Sequence, residues 1–261
     1  IAFLCFIAVT LLSLRIYGQV AGAPTLTVPK ASIFLDQQNN QIGDYFTEER
    51  RYWTSLDDIS PYLIDATVAV EDKDFYAHSG FDYSRIAGAV LADIKAGSKV
   101  QGASTLTQQY ARNLYLTHQK TWTRKINEAL YAYRLELFYS KDEILEGYLN
   151  TVYYGHGMYG VEAASRYFYG KSVSELTLAE ASMLAGVPKG PTYYSPLNNL
   201  DKATNRQQVI LGLMKNQGKI TTAEKEKATT EALIFKSDEW IATKTIAPYF
   251  IDLVRSEASE I

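Results

Sequence analysis

The chain has 261 residues, with 47% hydrophobic and 21% charged side chains, which is the balance of an ordinary folded protein with room for one large domain or two small ones. Its net charge of −3 gives no global basic field for nucleic acid, so any site for a polyanion has to be local. A single cysteine, Cys5, excludes an intramolecular disulfide and a multi-cysteine metal centre, and three histidines (His78, His118 and His156) argue against a histidine-rich one.

Residues Ile1 to Leu14 carry no charge before Arg15. Fourteen residues are short for a span, which needs about 20. Because the sequence starts at Ile rather than Met, residues before it are expected, and Ile1 to Tyr17 reads as the outer end of a transmembrane helix. A signal peptide and a buried helix are the rival readings; Arg15-Ile16-Tyr17 is a poor small-residue cleavage site. Residues 18–45 then read as a small, polar linker and a short β-hairpin, with Asp36-Gln37-Gln38-Asn39-Asn40 as its turn. After Ser60-Pro61, a helix start with proline in the first turn, the pattern is helical. Capping boxes open later helices at Ser140/Glu143, Thr177/Glu180 and Thr221/Glu224, and Gly170 and Gly218 sit where helix-ending glycines belong. Trp122, Ile126, Leu130, Tyr133 and Leu137 recur at helical spacing and read as core packing. The segment Lys95 to Gly102 reads as a mobile loop.

The chemistry concentrates between Glu71 and Glu128. In the helix from Pro61, Ile64, Val68 and Glu71 share one face, so Glu71 stands at the end of an apolar stripe, where partial desolvation suits a general base; a solvated helix-end glutamate is the plain alternative. Ser104, after Gly102-Ala103, reads as an N-cap rather than a nucleophile, since its motif holds no base. Gln108 and Gln109, one turn inside that helix, could bond a sugar or phosphate oxygen or be solvated. The run Arg112 to Lys125 contains no acid and ends one turn before Glu128, so a carboxylate sits inside a local positive field in an otherwise acidic chain. Two carboxylates with cations between them suit chemistry at a sugar that carries an anionic leaving group. No phosphate loop of the G-x-x-x-x-G-K-[ST] kind, no H-E-x-x-H, no G-x-S-x-G and no S-x-x-K occurs.

These motifs resemble the peptidoglycan glycosyltransferase domain of bifunctional class A penicillin-binding proteins. The residues that carry the resemblance are E-D-x-x-F-x-x-H-x-G at Glu71 to Gly80, G-x-S-T-L-T-Q-Q at Gly102 to Gln109 and R-K-x-x-E at Arg124 to Glu128. It continues through Lys141, Tyr148-Leu149-Asn150, Gly160, Glu162-Ala163-Ala164 and Leu184-Ala185-Gly186 to Tyr194-Ser195-Pro196, and covers roughly residues 30 to 255.

The resemblance implies a mainly α fold, a lysozyme-like helical lobe with a smaller membrane-proximal jaw lobe, preceded by the transmembrane helix and the β-hairpin. The implied organisation is an anchor over residues 1–17, the linker and hairpin over 18–45, the glycosyltransferase domain over 46–246, and over 247–261 the start of a linker towards a missing transpeptidase domain. The implied partners are lipid II, the growing glycan chain, the membrane and other cell-wall synthesis proteins, with no nucleic acid. The implied location is the cell membrane, crossed once, with the catalytic domain on the extracytoplasmic side. Glu71 and Glu128 are the implied catalytic residues, and Asp72, Ser104, Thr105, Gln108, Gln109, Arg112, Lys120, Arg124, Lys125, Asn150 and Tyr153 the implied substrate contacts. A divalent cation, Mg or Mn, held by Glu128 against the substrate diphosphate, is compatible with this set. The family usually has Lys where this chain has Arg112 and Arg where it has Lys120; both charges survive, but a planar fork and a point charge are not equivalent. A muramidase-like hydrolase, which also uses two carboxylates, and a non-catalytic cell-wall scaffold are the alternative readings.

Overall fold

The computed structural model describes residues 2–28, 30–38, 41–45, 50–97, 102–115, 121–237 and 253. Asn39 and Asn40 of the expected turn, residues 98–101 of the expected mobile loop, His118, Lys120 and the passage 247–252 lie outside the described residues. In chain order the elements are α1 (Ala2–Ala21), β1 (Ser32–Leu35), β2 (Gln41–Tyr45), α2 (Pro61–Glu71), α3 (Tyr83–Ala96), α4 (Leu106–Tyr115), α5 (Trp122–Phe138), α6 (Lys141–Thr151), α7 (Val161–Tyr169), α8 (Leu178–Gly186), α9 (Pro191–Tyr194), α10 (Leu200–Asn216) and α11 (Thr222–Thr230). The chain is thus mainly helical, and β1 pairs antiparallel with β2. Among the described residues, no helix is long and apolar enough to cross a membrane. The chain divides into two units, Ile1–Thr27 with Glu71–Tyr148, and Val28–Val70 with Leu149–Ile261.

In the first unit α4 packs on α5. Leu106, Tyr110 and Ala111 of α4, Ala132 and Leu135 of α5, and Ile144, Leu145 and Tyr148 of α6 are buried together with Phe75. Gly147 lets α6 approach α4 closely, because a Cβ there would lie 2.2 Å from the Tyr110 ring. The end of α1 is clasped by α5 and its neighbours. Arg134 donates to the carbonyls of Ala21 and Gly22, both at 2.9 Å, and Tyr139 donates to that of Pro24 at 2.6 Å. A cation at these carbonyls satisfies acceptors that the helix itself cannot. The expected core stripe on α5 is buried only in part: Trp122 is 87% and Ile126 60% exposed, Leu130 and Tyr133 are half-buried, Tyr133 and Leu137 lie beside Gly18 of α1, and the most buried face is that of Glu128, Ala132 and Leu135. The 3.6-residue period marks a helix with an apolar face without saying which face its neighbours cover.

α3 is held at its start by Asp82, whose carboxylate accepts from the Arg85 N–H at 2.8 Å and the Ser84 hydroxyl at 2.7 Å. The Ser84 bond and then the Arg85 bond hold the Asp82 carboxyl below the usual carboxylate range.

In the second unit α8 packs along α10, and Ala179, Ala181, Leu184, Ile210, Leu211 and Met214 are buried there. The buried Gln207 amide donates to the Ala179 carbonyl at 2.8 Å, which pairs its polar group within this layer. Glu162, buried in the first turn of α7, accepts from Arg166 at 2.6 Å and from the Val173 N–H at 2.8 Å. The capping boxes at Ser140, Thr177 and Thr221 form, and a further one opens a short 3-10 turn at Ser172 with Glu175. Gly160, which starts α7, has φ +81°, and a Cβ there would lie 2.7 Å from the Asn150 carbonyl oxygen.

Three substitutions test these positions. Gly160→Ala has both an unfavourable backbone and a backbone clash, and is expected to cost about 3 kcal/mol. Gly212→Ala, in mid-α10 with open space around it, is expected to gain about 0.5–1 kcal/mol. Thermal melting of the two variants in parallel checks the pair, and equal melting temperatures would contradict the Gly160 contact. Asp82→Ala is expected to cost about 1 kcal/mol at pH 7. Because the folded carboxyl titrates below its unfolded value, this contribution is complete above the unfolded pKa and is lost as pH falls through the folded one. The gap between Asp82→Ala and the parent should therefore close on acidification, whereas a gap that widens would reject the cap.

Candidate active site

Glu71 is the last residue of α2, past the buried Leu63 and Val68. Its carboxylate is half-buried and accepts from the Gln109 side-chain amide, Nε2 to Oε2, at 2.9 Å. A neutral donor on one oxygen leaves the other lone pairs available and fixes the orientation of the carboxylate. Gln109 lies one turn inside α4, so the two expected residues are brought together across 38 positions of sequence.

The neighbouring Asp72 is placed otherwise than expected. Its side chain is fully buried. It accepts from the Leu106 N–H at 3.0 Å and from His78 Nε2 at 3.0 and 3.1 Å, and Arg85 Nη1 stands 3.8 Å away. The carboxylate thus caps the start of α4 from outside that helix. Thr105 and Gln108 are also spent internally. Gln108 N–H donates to Thr105 Oγ1 at 3.2 Å, Thr105 N–H donates to Gln108 Oε1 at 3.0 Å, and Thr105 Oγ1 donates to the Gly80 carbonyl at 2.7 Å. This is a capping box, so the cap is Thr105 and not Ser104. Ser104, one residue further out, instead accepts from Lys125 Nζ at 3.2 Å.

Lys125 and Arg124 open α5 behind the cap Thr121. Glu128 is 1% exposed, with Arg124 Nη1 at 3.5 Å and Lys125 Nζ in contact with its other oxygen. A buried carboxylate is tolerable only when paired in this way. Two cations against one carboxylate leave the cluster net positive, and Lys125 carries that charge to Ser104. Arg112 stands partly exposed in the last turn of α4 and makes no ion pair among the described residues. A divalent cation does not fit Glu128, because both its oxygens already face cations, and no group of three potential metal ligands occurs among the described residues.

Asn150 and Tyr153 belong to the second unit. Asn150 is fully buried, accepting from the Thr54 N–H and donating to the Thr54 carbonyl, both at 2.8 Å, so it pins the segment before α2. Tyr153 is 40% exposed and its ring meets Tyr159 at 4.7 Å.

Sequence reasoning missed two supports. Glu136 accepts from Thr107 Oγ1 and from Lys141 Nζ (2.7 Å), and Lys141 Nζ lies 4.4 Å above the buried Phe75 ring, so this trio braces α4 and the segment after Glu71. The Glu136/Lys141 spacing was the available signal, but it spans a helix break. Arg85 is the second support. Its Nη1 donates to the Glu71 carbonyl, and nothing in its local sequence announces that contact.

The sequence model of the family described as Transglycosylase matches residues 38–215. The chain is 51% identical over 245 residues to penicillin-binding protein 2D of Bacillus subtilis (strain 168), covering 94% of this chain and 36% of that protein. It is 43% identical to penicillin-binding protein 1F of the same organism (90% of this chain, 33% of that one) and 40% identical to penicillin-binding protein 1A of Neisseria lactamica (98% and 33%). A crystal structure of penicillin-binding protein 1A from Haemophilus influenzae aligns with a TM-score of 0.46 at 25% identity, over 90% of this chain and 24% of that one. The chain spans about a third of the length of the curated relatives it matches. It belongs to the transglycosylase family, the glycosyltransferase domain family of class A penicillin-binding proteins.

Proposed function

We propose that the chain polymerises lipid II into β-1,4-linked glycan, with Glu71 as the general base and inversion at the reacting carbon. The observation that carries this reading is the Glu71 carboxylate, half-exposed and oriented by Gln109, in the same unit as a net-positive cluster built on Glu128. Glu71 takes the proton from the 4-hydroxyl of the acceptor's N-acetylglucosamine. That oxygen bonds to C1 of the donor's N-acetylmuramic acid as the bond from C1 to the diphosphate oxygen breaks. Undecaprenyl diphosphate leaves with the electron pair, and cations already in place stabilise its developing charge.

Within this reading Arg124, Lys125, Arg112 and Lys120 serve the diphosphate, Glu128 holds Arg124 and Lys125 in position, and Ser104 and Gln109 are the remaining substrate contacts of this unit. Asp72, Thr105, Gln108 and Asn150 hold the framework. The membrane is part of the proposal, because the substrate is a lipid and because Val9, Leu12, Ile16 and Val20 of α1 are exposed apolar side chains. The catalytic unit then works at the extracytoplasmic face.

The test is incubation with lipid II in detergent and divalent metal. Lengthening glycan supports the transferase, release of fragments from finished glycan supports a hydrolase, and neither from a folded protein leaves a scaffold. Glu71→Gln is expected to lower the rate at least about 100-fold while the protein stays folded. Arg112→Ala and Lys120→Ala are each expected to lower turnover about tenfold, the effect of losing one contact to the developing charge. If both polymerise at the parent rate, the assignment of those two cations is wrong.

A further inference from the structure

A helix leaves its last carbonyls without internal donors, and the last carbonyl of α2 is that of Glu71 itself. It is met by Arg85, from the first turn of α3. The same Nη1 lies 3.8 Å from Asp72 Oδ1, and Asp72 Oδ2 takes the Leu106 N–H that opens α4. Arg85 therefore touches the peptide of Glu71 on one side. On the other it touches the carboxylate that positions the helix carrying Gln109. A guanidinium suits this place because its planar, fixed donors can address two acceptors on adjacent residues, and because a cation is favoured at a helix C-terminus.

We propose that Arg85 is a positioning residue for Glu71, holding its backbone while Gln109 holds its carboxylate. This rests on the reading of Glu71 as the base. The tie matters because α3 is otherwise weakly anchored. Ala89 is its one buried residue, while Val90, Leu91 and Ile94 are exposed. The Asp82 cap fixes the backbone of Arg85, and the Arg85 side chain carries that position to the base.

The experiment is steady-state polymerisation of labelled lipid II by the parent chain, Arg85→Ala, Arg85→Lys, Gln109→Ala, the Arg85→Ala/Gln109→Ala double variant and Glu71→Gln, each with its melting temperature. Arg85→Ala should lower kcat about tenfold with KM within about twofold, since it removes alignment rather than a substrate contact. Arg85→Lys, which keeps the charge and can reach one of the two acceptors, should regain part of the lost kcat. The double variant should lose less than the product of the two single losses, because both residues act through Glu71. A parent-like kcat in Arg85→Ala overturns the proposal. So does a raised KM at unchanged kcat, which marks a substrate contact, and so does a loss that Arg85→Lys does not relieve and that follows the fall in melting temperature. An active Glu71→Gln overturns the base assignment and this proposal together, whereas an inactive Glu71→Gln beside a parent-like Arg85→Ala overturns this proposal alone.

Discussion

The buried carboxylate of Asp72 is the constraint on which the first unit depends. A desolvated charge of this kind is stable only when it is paired, and here three separate stretches of chain do so: His78 in the segment after α2 and the Leu106 N–H at the start of α4 by hydrogen bonds, and the Arg85 guanidinium of α3 by its charge at 3.8 Å. Each donor is drawn to the carboxylate because leaving it unpaired would cost several kcal/mol or more. Satisfying it sets the end of α2 against the start of α4, and Glu71 and Gln109 meet as a consequence. The geometry at Glu71 is therefore inherited from its neighbour.

That dependence explains why the motif residues divide into two groups. Thr105 and the Gln108 Oε1 close the start of α4, and the Asn150 amide closes on the Thr54 peptide, so these groups are engaged inside the fold. Ser104 and Gln109, adjacent in sequence to the cap residues, stay partly accessible. The alternation within one short motif arises at a helix start, where consecutive residues point in different directions and the backbone N–H groups need partners. Inner residues that are hydrogen-bonded and outer ones that stay accessible are what a preorganised site requires, since an outer side chain keeps its aim only when the backbone beneath it cannot shift.

Local signals were read correctly from sequence because their physics is local. The capping boxes at Ser140, Thr177 and Thr221 each need only a hydroxyl and a carboxylate three residues apart, and all three form. The start of α4 was misread by one residue, since Ser104 and Thr105 are both good caps and only Gln108 settles the choice, through its bond to the Thr105 N–H. The apolar stripe on α5 was misassigned in part because periodicity reports that a face exists without saying what covers it. Arg85 was not legible at all: its contact with Glu71 spans 14 positions, and an isolated arginine near a helix start normally faces water.

The exposed stripe and the ion cluster belong to the same helix, and this juxtaposition bears on the proposed reaction. α5 presents Trp122 and Ile126 to the outside while Arg124 and Lys125, between them in sequence, gather around Glu128. An apolar surface left open beside partly exposed cations that gather on a buried carboxylate has little stabilising value in water, and its exposure calls for a ligand or an interface. The leaving group of the proposed reaction is itself amphiphilic, a diphosphate on a long hydrocarbon chain. The cations suit its head, and Trp122 and Ile126 suit the start of its tail or the lipid around it. A soluble sugar donor would use the first half of this surface and leave the second half unexplained. Glycan hydrolysis, with no anionic lipid to expel, would need neither half. The pairing of charge and grease within one turn of α5 therefore favours a lipid-linked donor over both, and it gives the exposed stripe a reason to exist.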